Sequence, residues 1–319
     1  MSAILADVSR FQGAYSTLNG AGRRIDVSLL GLAHAAMTVG QGDYGDVLRL
    51  GFFRLGQLLC TVLANIRVDQ GLLCLETRYY QLEKSEKDAV SYLLGMAVAK
   101  VIGEALLRIP WLRHVSRSPG VTLTHGSKPA KSKVLLHRQT RSARAPDLIG
   151  LDQNGEAHVV EAKGSCSGFN GGSLQHAIDQ VSQVTLVNGR PPATRVACFA
   201  DCSTSGIRAT AVDPDRPETG VALDFDPDSM IGEYYRPFLH SYWTEASSER
   251  LGGFDYRVRP IGVPDLYLGV REDVLEAVRR PASFERLRSL TATNEAGFER
   301  GDREISASAD GTILFGVLP

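Results

Sequence analysis

Between positions 146 and 163 the chain sets two carboxylates and an amine at a spacing that can bring them to one point. The stretch reads Pro146-Asp147-Leu148-Ile149-Gly150-Leu151-Asp152-Gln153-Asn154-Gly155-Glu156-Ala157-His158-Val159-Val160-Glu161-Ala162-Lys163. Leu148, Ile149 and Leu151 make one apolar run and Ala157, Val159 and Val160 a second. Asn154-Gly155 between them is a strong hairpin signal. Side chains alternate along a strand, so Val159, Glu161 and Lys163 share one face and His158, Val160 and Ala162 the other.

The loop length decides where Asp147 falls. A two-residue loop at Asn154-Gly155 pairs Asp147 with Ala162 and sends the two carboxylates to opposite faces. A three-residue loop, Gln153-Asn154-Gly155, pairs Asp147 with Glu161 and puts Gly155 in the left-handed position such loops need. The three-residue loop is expected here. Two carboxylates and a lysine at one sheet edge suit a hard divalent cation, because Mg²⁺ takes oxygen ligands and keeps several waters. Such an ion polarises a phosphoryl oxygen and activates a bound water, and an amine beside it stabilises charge developing on phosphorus.

Pro146-Asp147, a spacer of about a dozen residues and then Glu161-Ala162-Lys163 resembles the PD-(D/E)XK nuclease superfamily. The resemblance implies that Asp147 and Glu161 bind Mg²⁺ or Mn²⁺, that Ala162 ligates through its carbonyl, and that Lys163 assists catalysis. It further implies a restriction-endonuclease-like α/β core, a mixed central sheet flanked by helices. A helix precedes the core sheet in that family and supplies an extra carboxylate in some members; Glu104 is the candidate here and Glu86 a weaker one. Gln180, on the helix after the motif, is a possible support residue, although the tyrosine that often accompanies it is missing.

The 319 residues carry a formal net charge of −1, so the chain as a whole is no polyanion binder. Its charge is unevenly spread. No acidic residue falls between Glu104 and Asp147, where Arg108, Arg113, Arg117, Lys128, Lys131, Lys133, Arg138, Arg141 and Arg144 stand. This stretch runs into the carboxylate site and reads as a phosphate-backbone track, with Lys131, Lys133, Arg138, Arg141 and Arg144 as nucleic-acid contacts. Residues 201 to 233 are acidic by contrast. Five cysteines, Cys60, Cys74, Cys166, Cys198 and Cys202, fit a reducing cytosol, and Cys60 and Cys74 read as buried thiols. No signal peptide and no apolar run near membrane-spanning length is evident, which predicts a cytoplasmic protein without a membrane partner.

Three regions are expected: a helical one over 1–80, the nuclease-like core over 81–205 and an α+β extension over 206–319. Apolar spacing predicts helices over 27–37, 43–66 and 85–109, the last stopped by Pro110. Strands are expected at 111–115 and 196–200, and a helix from an N-cap at Ser173 to Val187. Residues 231–243 read as an aromatic helix packing on the core. Asp265 mimics the Pro-Asp of the main motif but no ExK follows it. A final hairpin is expected over 304–317.

The leading expectation is a metal-dependent phosphodiesterase acting on nucleic acid, DNA foremost, in the style of bacterial restriction or anti-phage defence, working with a partner protein or as a homo-oligomer. A second reading keeps the fold without the chemistry, as a nucleic-acid-binding or assembly module. A third is a cysteine hydrolase, because Gly164-Ser165-Cys166-Ser167-Gly168 loosely mimics a nucleophile elbow.

Overall fold

The computed structural model describes residues 2–39, 52–115, 121–125, 145–216, 220–239, 243, 245–263, 265–291 and 304–317. The protein is mixed α/β, built on a large mixed sheet with helices on its faces. The strands are β1 (Ala3–Ser9), β2 (Gly20–Asp26), β3 (Ile66–Asp69), β4 (Leu72–Leu75), β5 (Trp111–His114), β6 (Thr122–His125), β7 (Leu148–Leu151), β8 (Ala157–Ser165), β9 (Val184–Val187), β10 (Thr194–Ser203), β11 (Gly206–Val212), β12 (Val221–Asp224), β13 (Ser247–Leu251), β14 (Phe254–Pro260), β15 (Leu266–Arg271), β16 (Glu304–Ala307) and β17 (Thr312–Gly316). The nine-stranded sheet runs β3-β4-β1-β11-β10-β8-β7-β5, with β2 on β1. A three-stranded sheet runs β6-β12-β9 and a five-stranded one β13-β14-β15-β17-β16. Residues before 81, expected to be helical, therefore also contribute four strands to the main sheet.

The helices are α1 (Leu29–Thr38), α2 (Phe52–Asn65), α3 (Lys84–Leu107), α4 (Gly171–Val181), α5 (Pro227–Leu239), α6 (Glu272–Val278) and α7 (Ser283–Thr291). Helix α3 organises the core. It opens with a capping box in which Glu83 and Glu86 satisfy each other's backbone N–H groups, so Glu86 serves the helix end. It closes with Arg108 in the left-handed region, followed by Pro110. Contrary to the sequence expectation, α3 is long and apolar enough by composition to cross a membrane, with a mean hydropathy of 1.6 over its apolar window; 67% of that window is buried inside the protein.

Two glycines set how α3 meets the sheet. A Cβ on Gly164 of β8 would lie 2.0 Å from the Ser91 carbonyl oxygen, and one on Gly95 would lie 2.7 Å from the Gly164 nitrogen. Neither residue has room for a side chain, so helix and strand approach backbone to backbone. Gly164 thus marks the α3 face of β8, and by alternation Glu161 and Lys163 project to the opposite face. Helix α4 packs on β8 and β10. Its cap is Asn170, whose side chain accepts from the Ser173 N–H at 3.0 Å, so the helix starts earlier than the expected Ser173 cap. It also ends earlier, at Val181, because the β-branched run from Val184 to Val187 forms β9 instead.

Candidate metal centre at the end of the β7–β8 hairpin

The hairpin has the register of the three-residue loop. Leu148 faces Val160 and Leu151 faces Ala157. One step outward, the Asp152 N–H reaches the Glu156 carbonyl at 3.0 Å, and Gly155 takes φ +82. Asp152 fixes the turn further, its Oδ1 accepting from the N–H groups of Asn154 and Glu156, each at 2.8 Å. One step inward from Leu148, this register sets Asp147 opposite Glu161.

The two acidic residues hold each other through the backbone. Glu161 Oε2 accepts from the Asp147 N–H at 2.8 Å, and Asp147 Oδ2 accepts from the Ala162 N–H at 3.2 Å. Lys163 Nζ donates to Glu161 Oε1. The Glu161 side chain is fully buried while that of Lys163 keeps 28% of its surface exposed, so the site opens to solvent on the lysine side. Burial, and then the neighbouring Asp147 charge, push the Glu161 carboxyl up to about 7; the Lys163 ammonium and the Asp147 N–H oppose the rise without cancelling it. Once Glu161 is ionised, two carboxylates against one ammonium leave a surplus of negative charge in a partly desolvated niche.

That surplus makes the donor set fit a divalent cation. Asp147, Glu161 and the Ala162 carbonyl would hold it, all oxygen donors, as Mg²⁺ or Mn²⁺ requires. Among the described residues no group of three or more His, Cys, Asp and Glu side chains is placed to hold a metal. A centre here therefore rests on two carboxylates and a carbonyl, with water completing the shell.

Glu104 belongs elsewhere, which corrects the sequence expectation. It accepts from Lys100 at 2.9 Å and from Ser308 Oγ at 2.6 Å, in a closed cluster with Asp310. Gly95 marks where α3 touches β8, and Glu104 lies nine residues on, about 13 Å further along the axis. Gln180 is buried on α4 and its Oε1 has no hydrogen-bond partner among the described residues. Lys131, Lys133, Arg138, Arg141 and Arg144 lie outside the described residues. Arg113, counted in the basic stretch, is buried 3.6 Å from Glu233 and takes no part in a surface track.

Sequence reasoning missed His114 and Tyr92. The His114 ring lies with Nδ1 3.2 Å from the Asp147 carbonyl and Nε2 3.4 Å from the Tyr92 hydroxyl. No local motif announces them, because His114 comes from β5 and Tyr92 from α3. Cys166 is buried beside Cys202, Ser91 and Tyr79, and the Cys202 thiol above all brings its own thiol down to about 7. Among the described residues the groups that shift its thiol include no histidine to act as a base, and α4 does not start directly after it, so the elbow resemblance finds no support there. Cys60, expected in the core, is exposed on α2. No family of known proteins, no curated protein and no solved structure matches the chain.

Proposed function

We propose that this protein is a metal-dependent nuclease, hydrolysing phosphodiester bonds in nucleic acid, DNA foremost, at the end of the β7–β8 hairpin. One observation carries the reading: the hairpin register sets Asp147 against Glu161, with the partly exposed Lys163 bonded to Glu161. The chain order supports a restriction-endonuclease-like core: with β6 and β9 set aside in their own small sheet, α3, β5, β7, β8, α4 and β10 come in turn as a helix, three antiparallel strands, a helix and a strand parallel to β8.

A bound Mg²⁺ or Mn²⁺ would supply Lewis-acid polarisation and a more acidic water. Asp147 and Glu161 orient the oxygen donors and keep them close by their reciprocal backbone bonds. Lys163 faces solvent at the mouth of the niche, where its ammonium offsets charge building on the phosphoryl group. The sheet and α3 exclude water from behind Glu161, so charges at the site act at short range in a low dielectric.

The test is incubation with linear, circular and single-stranded DNA, and with RNA, in Mg²⁺ or EDTA. Cleavage is expected in Mg²⁺ alone, and Glu161→Ala and Lys163→Ala should each reduce it by at least about a hundredfold with the far-UV spectrum unchanged. Cleavage that survives both substitutions rejects the proposal. Absence of cleavage with no Mn²⁺ binding by titration favours the degenerate-module reading, in which the Lys163 and Asp147 N–H bonds to Glu161 are the final state of the site.

A further inference from the structure

Two half-exposed aromatic rings stand beside this niche, and each is anchored to a residue next to it. Phe169, in the loop after β8, is 56% exposed and meets Phe199 edge to face with ring centroids 5.3 Å apart. Phe199 is the cross-strand partner of Lys163. Tyr92, on α3, is 49% exposed, and its hydroxyl meets His114, whose other ring nitrogen meets the Asp147 carbonyl. Hydrophobic collapse would hide such rings, and most of the other aromatic side chains described are more buried. Here each keeps about half of its surface in solvent while one contact holds it in place.

We infer that Phe169 and Tyr92 are stacking platforms that make the substrate a single strand, or the frayed end of a duplex. The inference rests on the nuclease reading, and it names what that site accepts. Aromatic faces bind unpaired bases of any sequence, whereas bases inside a duplex hide their faces in the stack. Phe169 sits on the Lys163 side of the sheet and Tyr92 on the α3 side, so a strand drawn across the ends of β7 and β8 would meet one ring before the carboxylates and one after. A rigid duplex cannot offer a base face to either ring without being opened.

The experiment measures binding of a fluorescent thymidine 20-mer and of a blunt duplex by anisotropy in EDTA, so that no cleavage is needed. Phe169→Ala and Tyr92→Ala should each weaken single-strand binding by roughly tenfold or more, and Phe169→Tyr and Tyr92→Phe, which keep the ring, should stay within about twofold of the parent by the same stacking argument. Phe169→Leu, which keeps bulk without a π face, guards against a folding defect and should behave like the alanine variant. Single-strand affinity unchanged in both alanine variants overturns the inference, as does a parent that binds only the duplex. A parent that binds single strands through these rings yet cleaves nothing in Mg²⁺ leaves the platforms standing and removes the nuclease.

Discussion

Helix α3 carries one polar cluster and lies behind the strand that carries another; the two share one composition, two carboxylates and a lysine, and differ in their surroundings. Near its middle, Gly95 backs the Asp147, Glu161 and Lys163 group. Near its end, Lys100 and Glu104 meet Asp310. In the second cluster Lys100 and Asp310 are fully buried, Glu104 keeps 22% of its side chain exposed, and each of the three groups has fixed hydrogen-bond partners. Lys100 donates to the Pro110 carbonyl and the Tyr234 hydroxyl. Asp310 accepts from Tyr234, from the Thr312 N–H at 2.8 Å and from the Thr312 hydroxyl at 2.5 Å. Ser308 closes the Glu104 side. This is a saturated network that ties the turn between β16 and β17 to the core. The first cluster is poorer in donors, open on the lysine side, and keeps a buried carboxyl pushed toward neutrality. Composition and net charge alone do not mark a site; a carboxylate pair with few fixed donors and an opening to solvent does.

The sharpest way to break this contrast is to remove each lysine. Lys100→Ala leaves Asp310 and Glu104 facing each other in the core without a counter-charge, and should cost about 3–5 kcal/mol, read as a lower urea midpoint. Lys163→Ala should cost under about 1 kcal/mol, since Lys163 is partly solvated and Glu161 takes up a proton instead, while cleavage is lost. Equal costs for the two variants would mean that the clusters are energetically alike.

The next effect is pH-dependent and belongs to the saturated cluster. His34 is buried with Nε2 2.9 Å from Thr312 Oγ1 and Nδ1 3.1 Å from Ser306 Oγ. Burial brings it down to about 4 from 6.5, with Lys100 adding to the fall and Asp310 resisting it. A depressed folded value means that the native state refuses the proton the unfolded chain accepts. The stability is therefore whole above pH 6.5 and is lost as pH falls toward 4, by up to about 3 kcal/mol. His34→Gln should lower stability at pH 7 by about 1 kcal/mol through its lost hydrogen bond but decline less between pH 6.5 and 4. Urea melts at pH 7, 5.5 and 4 measure the two slopes, and parallel slopes would clear His34 of the effect.

The two clusters also differ in how far they could be read from the sequence. The hairpin is local: Asn154-Gly155 fixes the turn, Gly155 takes the positive φ, and Asp147 and Glu161 are then placed by counting. The helix at 84–107, expected over 85–109, and the strand β5 after it were legible for the same reason, since apolar period and Pro110 act over a few residues, whereas β3, β4 and β6 were not. The Lys100 cluster was not, because Asp310 and Ser308 arrive from two hundred residues downstream and only the folded chain brings them to α3. The short strand β9 was misread because Val184, Thr185, Leu186 and Val187 continue a helical spacing, and their pairing with β12 is a tertiary event. His114 and Tyr92 escaped notice on the same ground.

The smallest expected effect is the most discriminating. Glu104 was the sequence's candidate for a third site carboxylate, and in the structure it is the dispensable acid of the closed cluster. Burial raises its carboxyl above the usual range, and the Asp310 charge adds to the rise while Lys100 and Ser308 oppose it. For a raised acid the native state prefers the proton. Its contribution is complete below pH 4.5 and is lost as pH climbs through the folded value. Glu104→Gln imitates the protonated form, and its amide oxygen can still accept from Lys100 and Ser308, while Asp310 alone balances the Lys100 charge. The variant should lie within about 1 kcal/mol of the parent at pH 7 and cleave within about twofold of it, because a group that touches no reacting atom leaves transition-state binding alone. A hundredfold loss of cleavage in a folded Glu104→Gln protein would move Glu104 back to the Asp147 and Glu161 site, and the division of α3 into an open and a closed cluster would fall with it.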